Sequence, residues 1–205
     1  MTNTVKHLIE SRVSTTRYQG GRELPEPVIR ELVQLATRAP TAFNLQNWKF
    51  IAVQSAAAKA RLYELAYQQR QVLDASVTFI VCGTLEAHTH LAQHLQPSVD
   101  VGILPASVQQ SWTDMVNQSH ADNPQLQREE AVRSASLAAM TMMLAAQGMG
   151  LASGAMTGFD AEGVAQAFAL EAHEPPILLV TVGYAAEGNW PQKVRRPVQE
   201  VLAFA

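Results

Sequence analysis

Residues 129–147 constrain the fold of this chain more than any other segment. Ala135, Leu137, Ala138, Ala139, Met140, Met142, Met143, Leu144 and Ala145 crowd into one helix-forming run, so apolar side chains point to nearly every side of it. Such a helix has to be buried, either in the middle of the domain or in an interface between subunits. Its small residues would let a partner helix approach closely. Gly148-Met149-Gly150 ends it.

The rest of the chain supplies material to cover that helix. At 205 residues it is expected to form one domain over residues 1–205, burying roughly 70% of the surface its unfolded form exposes. Helical spacing predicts helices over residues 4–13, 25–38, 56–73 and 161–170, the second opened by Pro25 and Pro27. Apolar runs predict strands over residues 49–53, 77–83 and 175–183. Residues 85–95 read as a helix or an irregular segment, and residues 154–160 as a glycine-bearing loop. Residues 96–127, rich in Gln, Ser, Asn and Asp with Trp112 and Met115 among them, read as a cover over a site or as a surface excursion. Helices dominate, with about four strands between them, so the class is α+β or three-layered α/β.

Charge is local. Arg12 and Arg17 near the start and Lys193, Arg195 and Arg196 near the end make up five of the 15 Lys and Arg residues, whereas residues 71–127 contain none. With a formal net charge of −3, this favours a small anion site over a polyanion-binding surface and argues against a nucleic-acid partner. Arg-x-Ser with a distant Lys-x-Arg suits a phosphate monoester, since guanidinium forks and hydroxyls both bond its oxygens. Solvated surface charge is the simpler alternative. The single cysteine, Cys82, lies in an apolar run where a buried inert thiol is expected, and it fits a reducing compartment. With no signal peptide and no membrane span expected, the sequence predicts a cytoplasmic protein. His90 and His94 would share a helix face near His88, but no companion carboxylate or Cys pair stands at ligand spacing, so no metal site is expected. Gly148, Gly150 and Gly154 follow a helix rather than a strand, unlike a Rossmann turn, and no Walker loop or Gly-x-Ser-x-Gly elbow occurs.

In the loop Pro40-Thr41-Ala42-Phe43-Asn44-Leu45-Gln46-Asn47-Trp48, Asn44 and Gln46 carry amides on one side of what reads as an extended segment. Paired amides suit the edge of a flat heterocycle, and they equally suit an ordinary hydrogen-bonded loop. Combined with a phosphate site and no nucleotide fold, they point to flavin mononucleotide.

Here the chain resembles the flavin-dependent nitroreductase family. Arg12-Val13-Ser14-Thr15-Thr16 resembles its N-terminal Arg-x-Ser motif, and the loop from Ala39 to Trp48 resembles its Pro-Ser-Ser-x-Asn-x-Gln-Pro-Trp loop. Met156-Thr157-Gly158-Phe159-Asp160 resembles its Gly-Phe-Asp loop, and Lys193-Val194-Arg195 with Pro197 its C-terminal ending. The resemblance implies a homodimer of three-layer α/β/α subunits with a central mixed sheet, the long buried helix at the dimer axis and FMN at the subunit interface. Arg12, Val13, Ser14, Thr16, Lys193 and Arg195 would surround the phosphate. Pro40, Thr41, Ala42 and Asn44 would reach the flavin from the partner chain, Gln46 would also bind the cofactor, Gln68 and Gln71 would lie near its pyrimidine edge, and the N–H groups of Thr157 and Gly158 would approach N5.

The implied activity is ping-pong hydride transfer from NADH or NADPH through FMN to nitroaromatics, quinones or similar acceptors, with no catalytic side chain and with Phe43 and Trp112 at the substrate pocket. Enone reduction, dehalogenation, flavin fragmentation or non-catalytic flavin binding on the same fold are the alternatives. The chain departs from the family pattern at Thr41, Ala42 and Asn47, and Gln71 stands where a Lys would put positive charge beside the ring.

Overall fold

The strand Val77–Gly83 (β2) is buried at every residue and paired on both sides, so the other elements are arranged around it. Successive side chains of a strand point to opposite faces: Val77, Phe79 and Val81 enter one layer of core, Ile80 and Cys82 another. This is why the segment reads as an unbroken apolar run. Burying Phe79 alone contributes roughly 1.5–3 kcal/mol. In the computed structural model, which describes residues 4–205, the sheet contains Trp48–Val53 (β1), β2, Pro176–Gly183 (β4) and Ala152–Met156 (β3), in that spatial order. Each pair is antiparallel. The mixed sheet implied by the resemblance is therefore corrected: the only parallel pairing among the described residues is an isolated bridge between Ser14 and Ser153.

Helices cover both faces, giving the expected three layers. On one side Glu26–Ala36 (α2) and Pro124–Gly148 (α7) pack Leu32, Ala36, Ala139 and Met142 against Phe79 and Val180. On the other, Ala56–Leu65 (α3) and Ala161–Ala167 (α8) bring Leu62 and Val164 against Ile80 and Leu179. Thr4–Ser11 (α1) runs along α7. The helix expected over residues 56–73 breaks instead: Tyr67 and Gln68 adopt left-handed conformations, φ 52° and 55°, before the single turn Gln71–Asp74 (α4).

The long helix α7 is 25 residues long and begins earlier than its apolar run. Asn123 caps it by accepting from the Leu126 N–H at 3.0 Å, and Pro124 takes the first helical position. Its inner stripe, including Ala131, Ala135, Ala138, Met142 and Ala146, is buried by the chain itself, whereas Leu137 and Met140 on the outer stripe are 46% and 36% exposed. Among the described residues no helix is long and apolar enough to cross a membrane.

Two sequence expectations change here. Residues 96–127, read as a cover or a surface excursion with no elements assigned, contain the end of Leu91–Asp100 (α5), all of Ala106–His120 (α6) and the start of α7. Leu45, Leu91, Leu95 and Val116 give this part a small core of its own. The glycine-bearing loop expected over 154–160 is a strand through Met156, because its backbone is claimed by β4 and by the N-terminal segment.

Candidate functional site

Thr15 anchors the first part of the site. It is buried, its N–H donates to the Ser153 carbonyl at 3.0 Å, and its own carbonyl accepts from the Tyr18 hydroxyl at 3.3 Å. The Tyr18 oxygen also lies 2.9 Å from Thr181 Oγ1, whose one proton is shared between it and the Gly154 carbonyl 3.1 Å away. Burial pushes the Tyr18 phenol well above its usual range, more than the Thr181 hydrogen bond lowers it, so the group stays a neutral donor. With Thr15 turned inward, Ser14 and Thr16 are left exposed, and Arg12 and Val13 half-buried.

The C-terminal residues reach this segment through side-chain amides. Asn189 Oδ1 accepts from the N–H groups of Thr16 and Arg17 at 2.9 and 3.0 Å, and its Nδ2 donates to the Arg17 carbonyl at 2.8 Å. Gln192 Nε2 donates to the Arg12 carbonyl at 3.1 Å. Arg195 donates back to Gln192 Oε1 at 3.0 Å and to the Lys193 carbonyl at 3.3 Å. The two basic clusters, separated by some 180 residues, are thus joined. Among the described residues no carboxylate forms an ion pair with Arg12, Lys193 or Arg195.

A second group lies at the far end of β3. Gln69 Nε2 donates to the Gly158 carbonyl at 2.7 Å, and the Gln71 amide meets Met156 Sδ. Gln68 instead faces outward to Glu64 at 3.3 Å. Thr157 and Gly158 are exposed. Arg70 is held by Asp74 at 3.0 Å, and that hydrogen bond raises its pKa further. At about 3.3 Å per residue, Ser153 beside Ser14 and Met156 beside Gln71 are roughly 10 Å apart along one strand. Asp160 is structural: it caps α8 by accepting from the Gly163 N–H at 3.1 Å. Cys82 is also structural, since burial pushes its thiol up to about 12.

The loop before β1 is not the extended segment expected. Phe43, Asn44 and Gln46 all have positive φ, 51°, 59° and 50°, a conformation that costs non-glycine residues energy and concentrates at functional sites. Leu45 holds the loop by inserting into the small core near α5 and α6. The Gln46 N–H donates to Thr41 Oγ1 at 3.1 Å, and His94 Nδ1 lies 3.2 Å from the Leu45 carbonyl. Phe43 meets Trp112 of α6 edge-on, with ring centroids 5.7 Å apart and planes at 82°. Pro40 and Asn44 are exposed, Thr41, Ala42 and Gln46 half-buried.

Phe43 and Trp112 are therefore brought together, but the loop is not brought to the basic cluster. β1 and β3 are opposite edges of the sheet, three strand spacings or about 14 Å apart. A groove of about 530 Å³ between α2 and β1, lined by Ile29, Val33, Ala52 and Gln54, contains none of the predicted residues. Sequence reasoning missed Tyr18, Gln69, Asn189 and Gln192. Gln69 lies between two residues that were selected, whereas Asn189 and Gln192 act through partners more than 170 residues away, which no local pattern reveals.

Residues 9–184 match the model of the nitroreductase family. The chain belongs to that family. With membership stands the expected enzyme class, an oxidoreductase. YodC of Bacillus subtilis, provisionally named an NAD(P)H nitroreductase, is 30% identical over 204 residues, covering 100% of both chains. The crystal structure of the B. subtilis protein ydfN, given as a nitroreductase, matches with a TM-score of 0.92 at 29% identity over 100% of both chains. A nitroreductase-named structure from Exiguobacterium sibiricum in complex with FMN shares the fold at a TM-score of 0.91 and 24% identity, covering 98% of this chain and 97% of that one. The N-terminal Arg-x-Ser motif and the loop before β1 both fall within the matched span, while Lys193 and Arg195 lie beyond it.

Proposed function

We propose that this nitroreductase-family chain is a cytoplasmic, FMN-dependent NAD(P)H oxidoreductase that works as a homodimer. It passes hydride to nitroaromatics, quinones or similar electron-poor acceptors in two half-reactions that share one pocket. The observation that carries this reading is the Gln192–Arg12 bond, which joins Lys193 and Arg195 to Arg12 and Ser14. Three cations and a hydroxyl, with no carboxylate paired to them among the described residues, fit a phosphate monoester.

When bound, FMN supplies a ring atom, N5, that takes hydride from a nicotinamide and yields it to an acceptor. Arg12, Ser14, Lys193 and Arg195 hold the phosphate, with Val13 and Thr16 flanking it. Thr157 and Gly158, exposed just beyond the other end of β3, would offer their backbone N–H groups to the ring edge. Gln71 offers an amide there in place of a cation. Because Pro40, Thr41, Ala42, Asn44 and Gln46 lie at the opposite sheet edge, a second copy supplies them. The uncovered stripe of α7 and the exposed Val198, Val201, Leu202 and Phe204 of the C-terminal segment support the same dimer.

The purified protein is expected to carry visible flavin absorption that bleaches when NADH or NADPH is added without oxygen. A protein that stays colourless after incubation with FMN would sink the reading. Trp112→Ala removes an aromatic contact of about 1 kcal/mol, and is expected to change kcat/KM for bulky quinones about fivefold relative to small nitroaromatics. Unchanged ratios would remove Trp112 from the pocket.

A further inference from the structure

Four buried side-chain atoms among the described residues lack a hydrogen-bond partner, and three of them belong to residues lining one small cavity: Asn47 Oδ1, His88 Nδ1 and His120 Nε2. Their residues are 2%, 8% and 6% exposed. The cavity measures about 10 Å³, the scale of a single water.

The three atoms differ in what they require. Asn47 Oδ1 can only accept. His120 Nδ1 lies 3.1 Å from the Val116 carbonyl, which can only accept, and 2.8 Å from Ser119 Oγ, whose own proton goes to the Met115 carbonyl at 3.0 Å, so both contacts place the ring proton on Nδ1 and a lone pair at Nε2. His88 Nδ1–H is then the donor that balances the set. One water accepting from His88 and donating to Asn47 and His120 satisfies all three, and three partners are usual for a buried water. Among the described residues no three His, Cys, Asp or Glu side chains converge as a metal site would need.

We propose that this cavity is a site for one bound water, and that the water is a proton-sensitive latch holding α6, with Trp112, against the loop that ends at Asn47. Three elements meet there. Asn47 closes the loop, His88 lies in the short 3-10 turn Ala87–His90, and His120 is the last residue of α6. Gln127 of α7 already ties two of them, accepting from the Glu86 N–H at 3.1 Å and donating to the His120 carbonyl at 2.7 Å. The water adds the loop side chain to this set.

The charged and titratable groups around His88 are His120 of α6, its ring centroid 6.3 Å away, Glu86 beside the turn, and Glu130 of α7, which is paired with Arg133 at 2.5 Å. Burial, and then His120, lower the His88 pKa, against the opposing pull of Glu86. An opened latch lets His88 reach water and bind protons more readily, so the closed state is fully favoured above the ordinary value of about 6.5. It loses ground as pH falls below that value towards the lower closed-state pKa.

Amide hydrogen exchange of residues 42–47 and 106–120, corrected for intrinsic rates, tests the latch on the protein as isolated. Protection is expected to fall between pH 7.5 and 5.5, by up to the roughly tenfold that one bound proton gives per pH unit below the ordinary value. His88→Gln, whose amide donates but does not titrate, should keep its protection at both pH values. A wild-type protein with no local loss, or a variant that keeps the loss, overturns the proposal. If the variant does not fold, crystals of the wild type at pH 7.5 decide the site. Density about 2.7–3.2 Å from all three atoms supports the water; an empty cavity, or an ion at about 2.0–2.1 Å from the imidazole nitrogens, overturns it. The latch rests on the proposed function only in giving the loop a role at the cofactor. A protein that fails to bind FMN by its visible spectrum would end that role and leave the exchange result standing.

Discussion

Replacing Gly154 with alanine is expected to weaken FMN binding at least tenfold and to lower stability by about 2 kcal/mol, within the range for overpacking a filled site. A methyl on Gly154 would fall within clashing distance of the Thr15 carbonyl and 3.2 Å from Thr181 Oγ1. Neither neighbour can swing away. The Thr15 carbonyl is backbone, held by the Tyr18 hydroxyl and by the adjoining Thr15–Ser153 bond, and Thr181 is fully buried in β4. The strain is therefore relieved by lifting residues 12–16 off β3, which moves Arg12 and Ser14 away from Lys193 and Arg195. Loss of about 2 kcal/mol lowers Tm by roughly 4–8 °C for a chain of this size. Ala155, exposed on the same strand, provides the control: Ala155→Ser should leave both quantities nearly unchanged. Flavin titration and thermal melts of the two variants check this. A Gly154→Ala protein that binds FMN with wild-type affinity would separate the N-terminal segment from the cofactor site.

The same residues explain what the sequence could and could not reveal. β2 and β4 were legible because a strand buried on both faces has to be apolar throughout. β3 was not, since Ala152-Ser153-Gly154-Ala155-Met156 has neither alternation nor β-branched residues. It is a strand because β4 pairs with it, and its small residues are there because Thr15 crosses it closely. The start of α7 had a readable capping pair in Asn123-Pro124, but the polar composition around it obscured the helix. The left-handed residues at 43, 44 and 46 are set by burial of Leu45 beneath α5 and α6, a tertiary cause that no local pattern expresses. The basic clusters were visible as charge, but their meeting depends on Asn189 and Gln192, whose residue types carry no such message. The outer face of α7 carries a similar lesson: an all-round apolar helix left either a central or an interface position open, and the chain itself buries one face only.

Lys49→Met is expected to cost about 2 kcal/mol and to change how stability depends on pH. Lys49 Nζ donates to both carboxylate oxygens of Glu174, at 2.7 and 2.6 Å, and Glu174 Oε2 also accepts from the Glu171 N–H at 3.1 Å. Removing one member of a fully buried pair costs about 3–5 kcal/mol; here the Lys49 side chain is 39% exposed, so solvent screening reduces the figure. Burial by itself would raise the Glu174 pKa, but the Lys49 bond and the Glu171 N–H more than offset it, leaving the value lowered. The unfolded chain then binds the proton more readily than the folded one. This contribution to stability is present above the ordinary carboxyl value of about 4.3 and is lost as pH falls through the lower folded value. In Lys49→Met the carboxyl loses the strongest of the contacts that offset its burial, so its folded value rises and this contribution to stability above about 4.3 shrinks. Urea unfolding from pH 4 to 7 should therefore show the largest gap between wild type and variant at pH 7 and a narrowing one at pH 4. Adding Glu174→Gln should recover part of the loss, because the amide leaves no buried charge behind. Parallel stability curves for wild type and variant would show that the pair is only a surface contact. Lys49 follows the loop directly and Glu174 precedes β4, so the bridge fixes the base from which residues 40–47 project. A loosened base would carry the Lys49→Met defect into the loop proposed to reach the cofactor, as a higher FMN Kd.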